Sequence, residues 1–126
     1  MVRLAPHYWF APLSRPPAQL SGQNGLALTC ALMQRLQEQV RQSGSRVLVL
    51  AQYGPHTETK LRDTMQAMVA CAGQAGLTVL DLLPIFDQLE KTDPRTYRSL
   101  FGAGHMSALG NRFVAQRLQR ALATGR

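Results

Sequence analysis

Two short aliphatic runs, RVLVLAQY (Arg46–Tyr53) and LTVLDLL (Leu77–Leu83), limit what this chain can fold into more than any other feature. Neither alternates apolar with polar residues, so neither reads as a strand with one wet face. Near-continuous valine and leucine is the pattern of a parallel strand covered on both faces. Between the runs, Leu61, Met65, Met68, Val69 and Ala72 recur at three- and four-residue steps, one apolar stripe of an amphipathic helix. Thr57 is its expected cap with Glu58 in the first turn, and Gly73 or Gly76 its stop. Parallel strands cannot be joined by a tight turn, so the order strand, helix, strand predicts a right-handed crossover.

The flanking sequence extends this pattern. Leu26, Cys30, Met33, Leu36 and Val40 place a second apolar stripe on a helix from Gly25 to about Gly44, directly before the first strand. After the second strand, Pro84 opens a brief helical PIFDQLEK, TDPRTYRSLFGAG reads as a connection of mixed character, and Phe113, Val114, Leu118 and Leu122 share one face of a final helix. Residues 1–24 carry four prolines and no periodicity; they read as an irregular arm preceding an α/β domain over 25–126. The His7, Tyr8, Trp9, Phe10 cluster in that arm suits the cover of a core edge better than a ligand site. With 126 residues there is room for one domain. Two parallel strands alone leave a sheet edge without a neighbour, which predicts pairing through that edge with the arm, with a second copy as a homo-oligomer, or with a missing amino-terminal half.

Composition narrows the function classes. Hydrophobic residues make up 45% of the chain and charged ones 17%, which excludes a disordered chain. The formal charge is +7, from 14 Lys and Arg against 7 Asp and Glu. The arginines are scattered, with no basic run and no interleaved aromatic platform, so nucleic acid is not the expected partner. Cys30 and Cys71 both fall at apolar helical positions and are expected to be free, buried small hydrophobes that imply neither redox compartment. His7, His56 and His105 are far apart and no Cys or His pair has ligand spacing, so no metal or other cofactor is expected. No apolar run approaches the roughly 18 residues of a membrane span, and prolines interrupt the opening stretch too early for a signal peptide. Nothing indicates a compartment.

One titratable residue stands apart. In FGAGHMSALGNRFVAQRL, residues 101–118, His105 lies in a glycine-flanked loop directly before the final helix. Ligands of open α/β sheets gather where loops leave the carboxyl ends of strands for helix N-termini, which is where this loop falls. Ser107 is the expected N-cap, Gly102 and Gly104 give the loop unusual backbone angles, and Gly110 leaves space for a close contact.

The block GHMSALGNRFVAQRL resembles the last sequence block of the SGNH, or GDSL-type, hydrolases, in which a loop histidine is followed by a small polar residue, a glycine, a His or Asn, and an alanine-containing helix. The stretches GSRVLVLAQY and GLTVLDLLPIFDQL resemble the two preceding strands of that fold, so the similarity runs from about Leu26 to Leu122, the carboxy-terminal half of a typical member. Its most specific part is the spacing of His105, Ser107, Gly110 and Asn111. The resemblance implies a partial flavodoxin-like three-layer sandwich, a short parallel sheet flanked by helices. It also implies a serine esterase or acyl-transfer chemistry with His105 as catalytic base, acting on a small acyl ester or an acylated carbohydrate. Imidazole suits that role because it gains and loses a proton near neutrality.

Two departures stand against the family pattern. Gly102 occupies the position, three residues before the histidine, where the family has an aspartate. No G-D-S block, G-x-S-x-G elbow or G-x-N-D segment is found, so the nucleophile and oxyanion donors are missing, and Ser14, Ser21, Ser43, Ser45, Ser99 and Ser107 have ordinary turn or cap settings. Asp81 is expected to cap a strand end and Asp87 to face solvent. A reading from another class takes the charge as primary: a basic α/β interaction module that binds an anionic partner through its arginine-bearing helices, with affinity falling steeply in salt.

Overall fold

A computed structural model of the chain describes residues 22–55 and 59–124. The element order is α1 (Gly22–Ser43), β1 (Leu48–Ala51), α2 (Thr59–Gln74), β2 (Thr78–Asp81), α3 (Leu83–Thr92), α4 (Pro94–Ser99), β3 (Phe101–Gly102), β4 (His105–Met106) and α5 (Ala108–Thr124). The fold is mixed α/β, mostly helical, with a short parallel sheet. β1 and β2 pair in parallel from Leu48 opposite Thr78 to Ala51 opposite Asp81, with α2 as the crossover. Among the described residues neither β1 nor β2 has a second strand neighbour. The expected arm, with His7 and the aromatic cluster, and the expected Thr57 cap lie outside the described residues, as does His56.

Helix ends follow local chemistry. α2 stops in a Schellman turn: Gly76 takes a φ of 83°, its N–H donates to Gly73 O at 2.9 Å, and the Leu77 N–H donates to Ala72 O at 3.0 Å. α1 begins at Gly22, ahead of the expected Gly25, and gives way to Gly44 with a φ of 66°. The mixed connection resolves into α4 and a hairpin. Asp93 caps α4, accepting from the Thr96 N–H at 3.0 Å, and Pro94 fills the first helical turn, where its missing N–H costs nothing.

The core lies off the sheet's carboxyl end. Ala51, Tyr53, Leu82, Phe86, Tyr97, Leu100 and Val114 are its buried members. Phe86 sits among rings, edge-on to Tyr97 at 6.2 Å and to Phe101 at 5.7 Å and stacked with Phe113 at 6.2 Å, arrangements that aromatic quadrupoles favour. On α5 the apolar face is shared: Val114 is buried, Leu122 is exposed, and the Arg117 guanidinium lies over the Phe113 ring at 3.9 Å.

Cys30 and Cys71 are not free. They form a disulfide between α1 and α2, with Cα atoms 5.1 Å apart. Each cysteine does sit on a helical face turned inward, but the two faces meet each other, so the thiols find one another rather than aliphatic neighbours. Asp87 also departs from expectation. It is half-buried and ion-paired with Arg62 of α2, Nη2 to Oδ1 at 2.6 Å.

Candidate functional site

His105 stands on a strand, not in an open loop. β3 and β4 form a minimal antiparallel hairpin, Phe101 opposite Met106 and Gly102 opposite His105. Its two-residue turn has positive φ at both positions, 50° at Ala103 and 82° at Gly104, the handedness that matches the twist of paired strands. Gly104 therefore uses its freedom as expected. Gly102 does not, since the second left-handed residue is Ala103, and Gly102 instead provides the cross-strand position facing His105.

The hairpin is fixed to α5 through Ser107. Its Oγ accepts from the Gly110 N–H at 3.0 Å, the expected cap, and donates to Ser99 O at 2.8 Å. The Ser107 N–H donates to Leu100 O at 2.8 Å. Gly110 is buried against that same carbonyl: a Cβ there would run into Leu100 O and lie 2.6 Å from Met106 Sδ. The sequence thus seats α5 on the α4–β3 junction and leaves His105 two residues from the Ser107 cap.

The His105 side chain is exposed and lines an open cavity of about 250 Å³ with Gln52, Tyr53, Gly54, Phe101, Gly104 and Met106. Gln52 and Tyr53 leave the carboxyl end of β1, so the histidine meets the sheet on the side where α/β ligands collect. Across the hairpin a larger cavity of about 400 Å³ shares Phe101 and Gly104, and Glu90, Tyr97 and Arg98 contribute to its wall.

Behind Tyr53 lies a polar cluster that sequence reading missed. Gln66 Nε2 donates to Tyr53 Oη at 2.6 Å and to Asp81 Oδ2 at 2.9 Å, while Asp81 Oδ1 accepts from the Leu83 N–H at 3.0 Å. Asp81 therefore ends its strand as expected and also starts α3. Burial pushes the Tyr53 phenol above its ordinary range; the Gln66 bond opposes this and the nearby Asp81 charge adds to it. The signal for Tyr53 was its place at the carboxyl end of the first aliphatic run.

Among the described residues the imidazole has no hydrogen-bond partner. Neither Asp81 nor Asp87 reaches it, because both carboxylates are engaged elsewhere. The serines are occupied too: Ser43 bonds Val40 O and Ser45, Ser99 bonds Thr96 O, and Ser107 caps α5. Ser14 and Ser21 lie outside the described residues. No group of three His, Cys, Asp or Glu able to hold a metal occurs among the described residues, and no described helix is long and apolar enough to cross a membrane. The arrangement offers an exposed imidazole at a cavity mouth, with the buried Tyr53 contributing to the same wall.

Comparison with protein-family models, curated proteins and solved structures finds no match to this chain.

Proposed function

We propose that this chain forms the carboxy-terminal part of an SGNH-type acyl hydrolase, a flavodoxin-like sandwich in which His105 is the general base and the nucleophile comes from polypeptide outside this sequence. The observation that supports it is the presentation of His105: an exposed imidazole at the carboxyl end of a parallel sheet, held two residues before the Ser107 cap of α5 and lining the cavity shared with Gln52 and Tyr53. In this role the imidazole takes the proton of an attacking hydroxyl and returns it to the leaving alcohol of a small acyl ester or acylated carbohydrate. Gly102 faces His105 across the hairpin with nothing within 4 Å of its Cβ direction, so the orienting carboxylate of the family has space but no side chain here.

The test is p-nitrophenyl acetate hydrolysis with labelling by a serine-directed fluorophosphonate, on the chain alone and joined to the in-frame polypeptide encoded upstream of Met1, each beside His105→Ala. The reading expects no labelling of the chain alone. In the joined form it expects one labelled serine and a rate falling about a thousandfold or more in the variant, since triad members act as a unit. Labelling of a serine within the chain alone would refute the external nucleophile. No labelling in either form would refute the hydrolase reading.

A further inference from the structure

We infer that the Cys30–Cys71 disulfide is a redox latch on α1: its reduction releases α1 from α2 and opens the apolar groove against it, while the sheet and the α3–α5 core stay folded. The inference is independent of the hydrolase reading.

α1 is long but weakly seated. None of its described side chains is fully buried, whereas every other α-helix of the fold contributes at least one buried residue. The buried core is drawn from β1, α3, α4, α5 and their connections, with no member from α1. The side-chain hydrogen bonds found among the described residues of α1 stay within the helix or reach the turn that follows it: Thr29 to Gly25 O, Arg41 and Gln42 to Glu38, Ser43 to Val40 O and Ser45. Among the described residues no ion pair joins α1 to another element. Among the described residues its main packing is apolar contact along α2, where one covalent bond ties it.

Against α1 lies a groove of about 250 Å³, lined by Met33 of α1, by Val49, Leu50 and Ala51 of β1 with Gln52 just after it, and by Met65, Met68 and Val69 of α2. No charged residue lines it. Gln52 belongs to both this groove and the His105 cavity, so displacement of α1 is felt at the candidate site.

Both cysteines are half-buried, within reach of a small thiol. In the opening step a thiolate of a dithiol reductant attacks one sulfur, the Cys30–Cys71 bond breaks, and a mixed disulfide forms. The reductant's second thiol then displaces the bound sulfur. The reductant leaves as a cyclic disulfide, and its two electrons and two protons end on the Cys30 and Cys71 thiols. Closure runs in reverse against a disulfide oxidant such as oxidised glutathione.

The experiment is amide hydrogen exchange, read by mass spectrometry, on the full chain after incubation with oxidised glutathione and after dithiothreitol, with Cys30→Ser alongside. Expected are a disulfide in the oxidised form, exchange across Cys30–Val40 accelerated about tenfold or more on reduction, and changes within about twofold across β2, α3 and α5, the pattern of a subglobal opening. Cys30→Ser should match the reduced parent and ignore dithiothreitol. Two free thiols after oxidised glutathione overturn the inference, as does unchanged α1 exchange on reduction. Equal acceleration of every element overturns it too, since the disulfide would then staple a single cooperative unit. If Cys30→Ser does not fold, the reduced parent alone decides among these outcomes.

Discussion

Replacing Gly110 with alanine sets two effects of opposite sign against each other, and the structure says which wins. On helix propensity alone, alanine in α5 should stabilise by about 1 kcal/mol. The added methyl, however, would penetrate the Leu100 carbonyl oxygen and stand 2.6 Å from Met106 Sδ. Met106 can turn its thioether away; a backbone oxygen cannot yield without moving the α4–β3 junction. Overpacking of this kind costs about 1–3 kcal/mol. The displacement also strains the Ser107 N–H bond to Leu100 O and the Ser107 Oγ bond to Ser99 O, each worth about 1 kcal/mol. Less the propensity gain, the net loss is about 2–4 kcal/mol. Urea unfolding followed by circular dichroism should show the midpoint falling by about 1–4 M, given slopes near 1–2 kcal/mol/M for a domain of this size. Gly73→Ala in α2 is the control, because nothing lies within 4 Å of its Cβ direction; it should be neutral or stabilising. A Gly110→Ala protein as stable as the parent would refute the seating of α5 described here.

Further outcomes follow from the same region. Ser107→Ala removes both the cap to the Gly110 N–H and the bond to Ser99 O and should cost about 1–2 kcal/mol by urea unfolding, with Ser107→Asp intermediate because it can still cap. Ala103→Gly should stabilise by about 1 kcal/mol in the same assay, since Ala103 holds a φ of 50° that glycine adopts freely. Burial, the largest cause, raises the phenol pKa of both Tyr53 and Tyr97, so the folded state holds them neutral after the unfolded chain begins to ionise. Their contribution is complete below about pH 10 and is lost as pH rises through the raised values; thermal scans should show an alkaline decline that is smaller in Tyr53→Phe. Among the described residues β1 has no second strand neighbour, which predicts concentration-dependent self-association; sedimentation showing a single monomer at high concentration would count against it.

Much of this was readable from residue order because it is local. The two aliphatic runs, the Leu61–Ala72 stripe and the Gly76 stop each depend on neighbours a few positions away, and so does the Ser107 cap. α4 was equally local, signalled by Asp93 before Pro94, and was absorbed into a connection because its six residues are too short to show a period. Ala103 concealed the hairpin turn, since alanine carries no preference for positive φ and Gly102 and Gly104 on either side drew attention instead.

Chemistry in this chain is decided at longer range. His105 could be placed before a helix from sequence, but its cavity is completed by Gln52 and Tyr53, which follow β1 and meet the β3–β4 hairpin at the same end of the sheet. Asp87 finds Arg62 and Cys30 finds Cys71 across 25 and 41 positions, partners that helical periodicity cannot choose because it fixes which face a residue occupies and not which face it meets. Sequence by itself determined the two aliphatic strands, the longer helices, the Ser107 cap and the place of His105 ahead of α5, through propensities and hydrogen bonds that close within a turn or two. Only the tertiary structure decided what stands beside that histidine, that Gly102 faces it without a carboxylate, and that the two cysteines join α1 to α2, because each depends on how separate helices and strands pack.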